Sequence, residues 1–304
     1  MNQSSNPKSL YVIGNGFDLW HGIPSKFSDF KRYVSVHEPR IFEEVETYLP
    51  AGDEWGQLEQ ALAEMDVDAL VDNLGQFMPS YGADDWSDAG HHDFQYEVEN
   101  CVDRLSAGLK KQFTNWIKGL PMLGRADLKR RLTTLDPTAQ YLSFNYTPTL
   151  AAIYGIDPQR VCFIHGSAAV QDDELILGHA WSPSTRPSLN NRDDVEDMDV
   201  RLFEANQIID DYFSSTFKRS AEIIQRHIDF FNNLSGVENV IVLGHSLSDV
   251  DAAYFAALLK VPALAIANWK FACRNLSEWP EKLLMLKALG IPVHNASPIS
   301  WDNL

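Results

Sequence analysis

The chain alternates between two hydrophobic rhythms. Short unbroken apolar runs stand between stretches in which apolar residues return every three or four positions. The first run, Leu10-Tyr11-Val12-Ile13, stops at Gly14-Asn15-Gly16. After Phe17, Asp18, Leu19 and Trp20, a second break follows at Gly22-Ile23-Pro24. An apolar run of strand length that ends on glycines predicts a buried strand entering a tight loop. Further strands are predicted at residues 140–145, Val161-Cys162-Phe163-Ile164, Leu175-Ile176-Leu177, residues 237–243, residues 263–267 and Pro292-Val293-His294.

Helical spacing fills the intervals. Ile41, Val45 and Leu49 recur at that spacing, as do Leu58, Leu62 and Met65. Val67, Leu70, Val71 and Leu74 follow, with Asp66 placed to cap them. Val98, Val102, Leu105, Leu109 and Phe113 share one helix face. Residues 79–90 form a polar break, and a short helix is expected ahead of Leu132. More helix is predicted over residues 195–234, 250–259 and 281–289. This alternation predicts an α/β fold, a doubly wound and mostly parallel Rossmann-like sheet. It reads as a single domain over residues 1–304, with a large helical insertion near 31–135 and a lid and long helical segment near 181–235.

In such sheets ligands bind beyond the carboxyl ends of the strands. There the chain places Gly14-Asn15-Gly16, Asn145-Tyr146-Thr147, His165-Gly166, Gly244-His245-Ser246 and Asn268. Glycine lets a backbone come close to a ligand. A helix opening behind Gly16 would turn free N–H groups toward a phosphate. The spacing matches neither GxGxxG, since the third glycine is misplaced, nor the GxxxxGK[ST] phosphate loop. Taken singly, Asn145 reads as a turn former, Ser246 as a helix cap and His165 as a hydrogen-bonded structural residue. Their convergence on one edge is what points to a nucleotide cleft.

Composition narrows the partners. A formal net charge of -17 makes a surface that repels nucleic-acid backbones and anionic lipid. Neither nucleic acid nor membrane is therefore an expected partner, while the strand-end groups keep a small-molecule nucleotide, held in a local basic pocket, as the expected ligand. The hydrophobic share, 45%, is that of an ordinary globular protein. The first residues lack the pattern of a signal peptide, and no run reaches transmembrane length. Cys101, Cys162 and Cys273 are isolated, which fits a cytoplasmic protein. Without a CxxC pair no metal is expected.

Five motifs resemble, in order, those of the AbiH family of bacterial phage abortive-infection proteins. They are VIGNGFDLWHGIPSKFSDF, FNYTPTL, CFIHG, LILGHA and VIVLGHSLSDVDAAYF, and Trp55 with Glu59 also fits. The series is distantly similar to the sirtuin-type NAD fold as well. Gly14, Gly16, Gly22-Ile23-Pro24, Asn145, His165-Gly166 and Gly244-His245-Ser246 follow the order of its loops. The chain departs from that pattern in lacking the paired cysteines of a zinc module and in carrying Thr147 where an acidic residue is usual. It also has Asn15-Gly16-Phe17-Asp18 in place of a small-residue loop.

The resemblance implies a phage-defence role, with NAD as substrate or ligand. It implies Asn145 and His165 as the catalytic pair. Nucleotide contacts would come from Gly14, Asn15, Gly16, Phe17, Asp18, Gly22, Thr147, Gly244, His245, Ser246 and Asn268. An oligomer or a phage-derived trigger is the further partner such a role implies.

Cleaving the nicotinamide–ribose bond builds positive charge at the anomeric carbon and requires one proton to be handled. A neutral His suits the proton, and an Asn amide can orient water or a ribose hydroxyl. Three rivals stand beside this reading. Ser246 lies in a Gly-His-Ser-Leu-Ser stretch that resembles the GxSxG elbow of serine hydrolases without its second Gly. His165, His179 and His245, or His91-His92, are candidate metal ligands without a recognised ligand spacing. The same fold can also serve as a non-catalytic sensor of a nucleotide such as NAD or ADP-ribose, or as an interaction protein.

Overall fold

The computed structural model describes residues 8–82, 89–124, 128, 130–133 and 135–304. One sheet contains β1 (Ser9–Ile13), β2 (Gln140–Ser143), β3 (Val161–Phe163), β4 (Asn239–Leu243), β5 (Asn268–Cys273) and β6 (Ala296–Ser300). All neighbours are parallel, in the order β3-β2-β1-β4-β5-β6. The doubly wound α/β fold expected from the alternation is therefore present.

The strands read as unbroken apolar runs because both faces of the sheet are buried. Leu10, Val12, Leu142, Val240, Val242, Trp269 and Phe271 enter one core. Tyr11, Ile13, Tyr141, Ile241, Leu243 and Ala272, the alternate positions, enter the other. At the edges the pattern weakens. β3 is short, and β6 carries Pro298, which cannot donate to a ladder and suits an edge strand. The strand order reverses between β1 and β4, so the carboxyl ends of these two strands flank the crevice where doubly wound sheets hold ligands.

The chain divides into two compact units. The first comprises Met1–Lys26, Ile117–Ile176 and Arg219–Leu304 and contains the whole sheet. The second comprises Phe27–Trp116 and Leu177–Lys218. It is helical, with Asp93–Asp103 packed on Val200–Ser215. Its core holds a cluster of Phe30, Trp55, Phe113 and Trp116. The fully buried Lys218 ammonium is paired there with Glu59 at 2.7 Å. Asp66 caps its helix as expected, accepting from the Ala69 N–H.

Three expected strands differ. Leu175-Ile176-Leu177 joins no ladder; its backbone is taken up by loops. The Ile176 N–H donates to the His165 carbonyl at 2.9 Å, and the Ile176 carbonyl accepts from the Tyr146 hydroxyl at 2.6 Å. Residues 263–267 fall mostly in the helix Pro262–Ile266, which Pro262 opens at its first position. The run Pro292-Val293-His294 gives a 3-10 turn at Val293–Asn295, and the strand follows it as β6. Parts of the polar break and of the short helix expected before Leu132, at 83–88, 125–127 and 129, lie outside the described residues. Among the described residues no helix is long and apolar enough to cross a membrane.

Candidate functional site

The loop after β1 and the loop after β4 are locked together. The Gly14 N–H donates to the Leu243 carbonyl at 2.9 Å, and the Gly16 N–H to the Gly244 carbonyl at 2.8 Å. A Cβ on Gly16 would stand 2.8 Å from Gly244 Cα, and one on Gly14 would collide with His245 Cα. Gly244 itself has φ +70°, and a Cβ there would collide with the Phe17 nitrogen. These glycines do permit a close approach, but the backbone they admit is each other's. The Gly14 and Gly16 N–H groups are engaged by these carbonyls and do not face a phosphate. Phe17 is fully buried in the core. The Asn15 amide is tied to Ser25, donating to its carbonyl at 2.7 Å and accepting from its hydroxyl. Between them Gly22, at φ +88°, turns the chain.

Asp18 lies in the short helix α1 (Asn15–Trp20) and is 1% exposed. Its carboxylate accepts from the Thr149 hydroxyl at 2.7 Å and from the Thr147 hydroxyl, and the two hydroxyls lie 2.9 Å apart. Burial pushes the Asp18 carboxyl up to about 6, against the opposing pull of Thr147, Thr149 and the nearby Asn145.

Asn145 follows β2 after one residue. Its backbone is fixed by Ser143, whose Oγ accepts from the Asn145 N–H at 3.2 Å and donates to its carbonyl at 3.1 Å. The side chain is 6% exposed. Among the described residues neither Nδ2 nor Oδ1 makes a hydrogen bond of good geometry, and the polar group near the amide is the Asp18 carboxylate. A buried polar group left without partners costs about 1–3 kcal/mol, and native structures hold few of them.

A second set of groups surrounds Phe144. Its ring meets His165 and His245 edge-on, at centroid distances of 5.4 and 4.4 Å. Asp251 stands between the two imidazoles, with its Oδ1 3.8 Å from His165 Nε2 and its Oδ2 3.4 Å from His245 Nε2. The Leu247 N–H donates to His245 Nδ1 at 2.9 Å. A neutral His245 must therefore carry its proton on Nε2, directed at Asp251. Leu247 reaches this geometry at φ 62°, a strained conformation for a branched residue. Gly166, at φ +90°, turns the chain directly after His165, where a Cβ would collide with the Glu174 carbonyl oxygen.

The strand ends thus bring Gly14, Asn145, His165 and Gly244 to one edge of the sheet. Asn268 does not belong with them. It opens β5 at the amino edge, because the apolar run before it is helical, and it is exposed. Thr147 bonds Asp18. Ser246 is exposed, and the left-handed strain of the loop falls on Leu247, the residue after it. The geometry of a nucleophile elbow is therefore missing. Among the described residues no group of three or more His, Cys, Asp or Glu side chains is arranged to hold a metal ion.

Sequence reasoning passed over Asp251 as the partner of His165, and Thr149 as the partner of Asp18. Asp251 had one readable signal: it is the second acidic residue of the 3-10 turn Asp249–Asp251 and stands at the N-cap of the helix Ala252–Leu259.

A family model described as "Bacteriophage abortive infection AbiH" matches residues 10–273. Every residue discussed in this section lies within that span. No curated protein matches the chain, and no solved structure matches it. The sirtuin-type likeness rests on the order of the motifs alone.

Proposed function

The chain belongs to the AbiH family of bacteriophage abortive infection proteins, and from that premise we propose that it acts in defence by hydrolysing the nicotinamide–ribose bond of NAD. The observation that carries this reading is the buried Asn145 amide, whose two ends make no hydrogen bond of good geometry, with the Asp18 carboxylate near it, on the edge that also holds His165. A ribose hydroxyl and a water molecule together supply the donor and acceptor that such an amide needs.

In this reading the C–N bond breaks with its electron pair leaving on nicotinamide, and the anomeric carbon becomes oxocarbenium-like. Water adds to that carbon, and its proton passes to His165. The products are nicotinamide, ADP-ribose and one proton. Asp251 acts as a positioning residue, its Oδ1 3.8 Å from His165 Nε2. Asp18, ionised above about pH 6, places a negative charge behind Asn145 and opposes the growth of positive charge least when ionised. Gly14, Gly16 and Gly244 shape the edge. The exposed hydroxyl of Ser246 is a binding contact and not a nucleophile.

The test is nicotinamide release from NAD, followed by chromatography, with purified wild type, His165→Ala, Asn145→Ala and the double variant. Release by wild type that falls sharply in each single variant is the expected result. Release that persists undiminished in the double variant overturns the proposal. Wild-type protein that binds NAD in calorimetry without releasing nicotinamide assigns the cleft to sensing.

A further inference from the structure

The sheet-bearing unit holds a second concavity, an open cleft of about 870 Å³. Four cationic side chains line it: Lys26, Arg130, Arg131 and Arg274. Trp20 and Trp301 line it as well, stacked on each other at 5.4 Å with 17° between their planes. Arg274 directly follows β5 and Trp301 directly follows β6, so both stand at the carboxyl edge of the sheet. Ligands of doubly wound sheets bind at that edge. Arg274 and Trp301 also lie beyond the span matched to the family.

The charge of this cleft is unlike the rest of the molecule. The chain carries a net charge of -17, yet the acidic side chain in the lining is Asp302 against four cations. Among the described residues none of these four forms an ion pair. Elsewhere Arg104, Arg192 and Arg201 each sit against a carboxylate. Like charges gathered in a concavity raise each other's energy and attract an anion. The Arg131 guanidinium is placed over the Tyr154 ring, 5.7 Å from its centroid, which limits its freedom before any ligand arrives. Guanidinium forks match phosphate geometry, and the volume is that of a small-ligand pocket.

We propose that this cleft binds the polyphosphate chain of a small ligand, of the kind a nucleoside polyphosphate carries, at a site separate from Asn145 and His165. The experiment is calorimetric titration of the whole chain with ATP, tripolyphosphate and adenosine at low and high salt. ATP and tripolyphosphate bind, more weakly as salt rises, and adenosine does not. ATP binding more tightly than tripolyphosphate identifies a nucleotide as the ligand; equal affinities identify the phosphate chain alone. Joint Arg131→Gln and Arg274→Gln substitution lowers the affinity of both roughly 10–100-fold, as the loss of charge-assisted hydrogen bonds does. Arg192→Gln, at an exposed arginine paired with Asp194 and outside the cleft lining, leaves it unchanged. Lys26→Gln, at another exposed position, gives a smaller loss and guards against a folding defect in the double variant. Absence of binding by both polyanions, or binding that survives in the double variant, overturns the proposal. Neither outcome bears on nicotinamide release, so the two readings fail independently.

Discussion

Thr149 donates its hydroxyl to Asp18 at 2.7 Å, joining the first residue of the helix Thr149–Tyr154 to the helix behind β1. Both side chains are buried, and the hydroxyl answers only part of what a buried carboxylate loses in leaving water. That imbalance gives the protein a measurable dependence on pH.

The Asp18 carboxyl is raised from 3.8 to about 6 by burial. Between these values the folded chain holds a proton that the unfolded chain releases, so stability falls as pH rises through the window. The loss from this group is on the order of 3 kcal/mol, complete once pH exceeds the folded value. Asp18→Asn should flatten this part of the curve. Urea unfolding of wild type and variant at pH 4, 5, 6 and 7 tests it; parallel curves across that range would remove Asp18 as the source.

The clasp between the β1 and β4 loops predicts an unequal response to one extra carbon. Gly244→Ala meets both the left-handed backbone penalty and a collision with Phe17, and should cost about 2–5 kcal/mol. Gly22→Ala, at φ +88° with nothing within 4 Å, meets only the first and should cost about 1–2 kcal/mol. Thermal melts of the two variants should therefore separate clearly. Equal melting temperatures would mean that the loops can part without loss.

His165 and Asn145 should behave as one catalytic unit. His165→Ala should lower turnover by roughly 10²–10⁴-fold, the usual contribution of a general base. Asn145→Ala should do comparable damage, and the double variant little more. Asp251→Asn should reduce turnover less and move the pH profile, because it removes the carboxylate that stands 3.8 Å from His165 Nε2. A loss of turnover without any change in the profile would make Asp251 merely structural.

Ser246 should resist a fluorophosphonate probe, since the strained position of its loop is Leu247. Mass spectrometry of the treated protein gives the answer. Covalent labelling at Ser246 would restore the hydrolase reading. Ser246→Ala should cost nucleotide binding only about 0.5–1.5 kcal/mol, the worth of one ordinary hydrogen bond.

How much of this was legible in the chain follows from burial. β1, β2 and β4 are covered on both faces, so their apolar runs stand out. The runs at 175–177 and 263–267 look the same on paper because a short apolar run does not distinguish a strand from a buried turn or helix. Misreading the second of these sent Asn268 to the wrong edge of the sheet. The two aspartates Asp249 and Asp251 are alike in sequence, and only the phase of the turn they share brings the second to His165. The glycines were recognisable as close-approach positions, but the identity of the approaching group depends on a partner loop far along the chain. The basic cleft leaves no linear trace, because its cations come from three separated segments.

The clasp also sets an order of events during synthesis. β1 leaves the ribosome ahead of β2 to β6, yet it lies inside the sheet, between β2 and β4. Its loop closes on Leu243 and Gly244, residues translated only after most of the chain. Until then one ladder edge of β1 and the glycines behind it have no permanent partners, which makes this contact slow to form and exposed to misassembly. A nascent or truncated chain that stops before β4 cannot finish the edge that carries Asn145 and His165. Translation past Gly244 thus becomes a condition for assembling that edge.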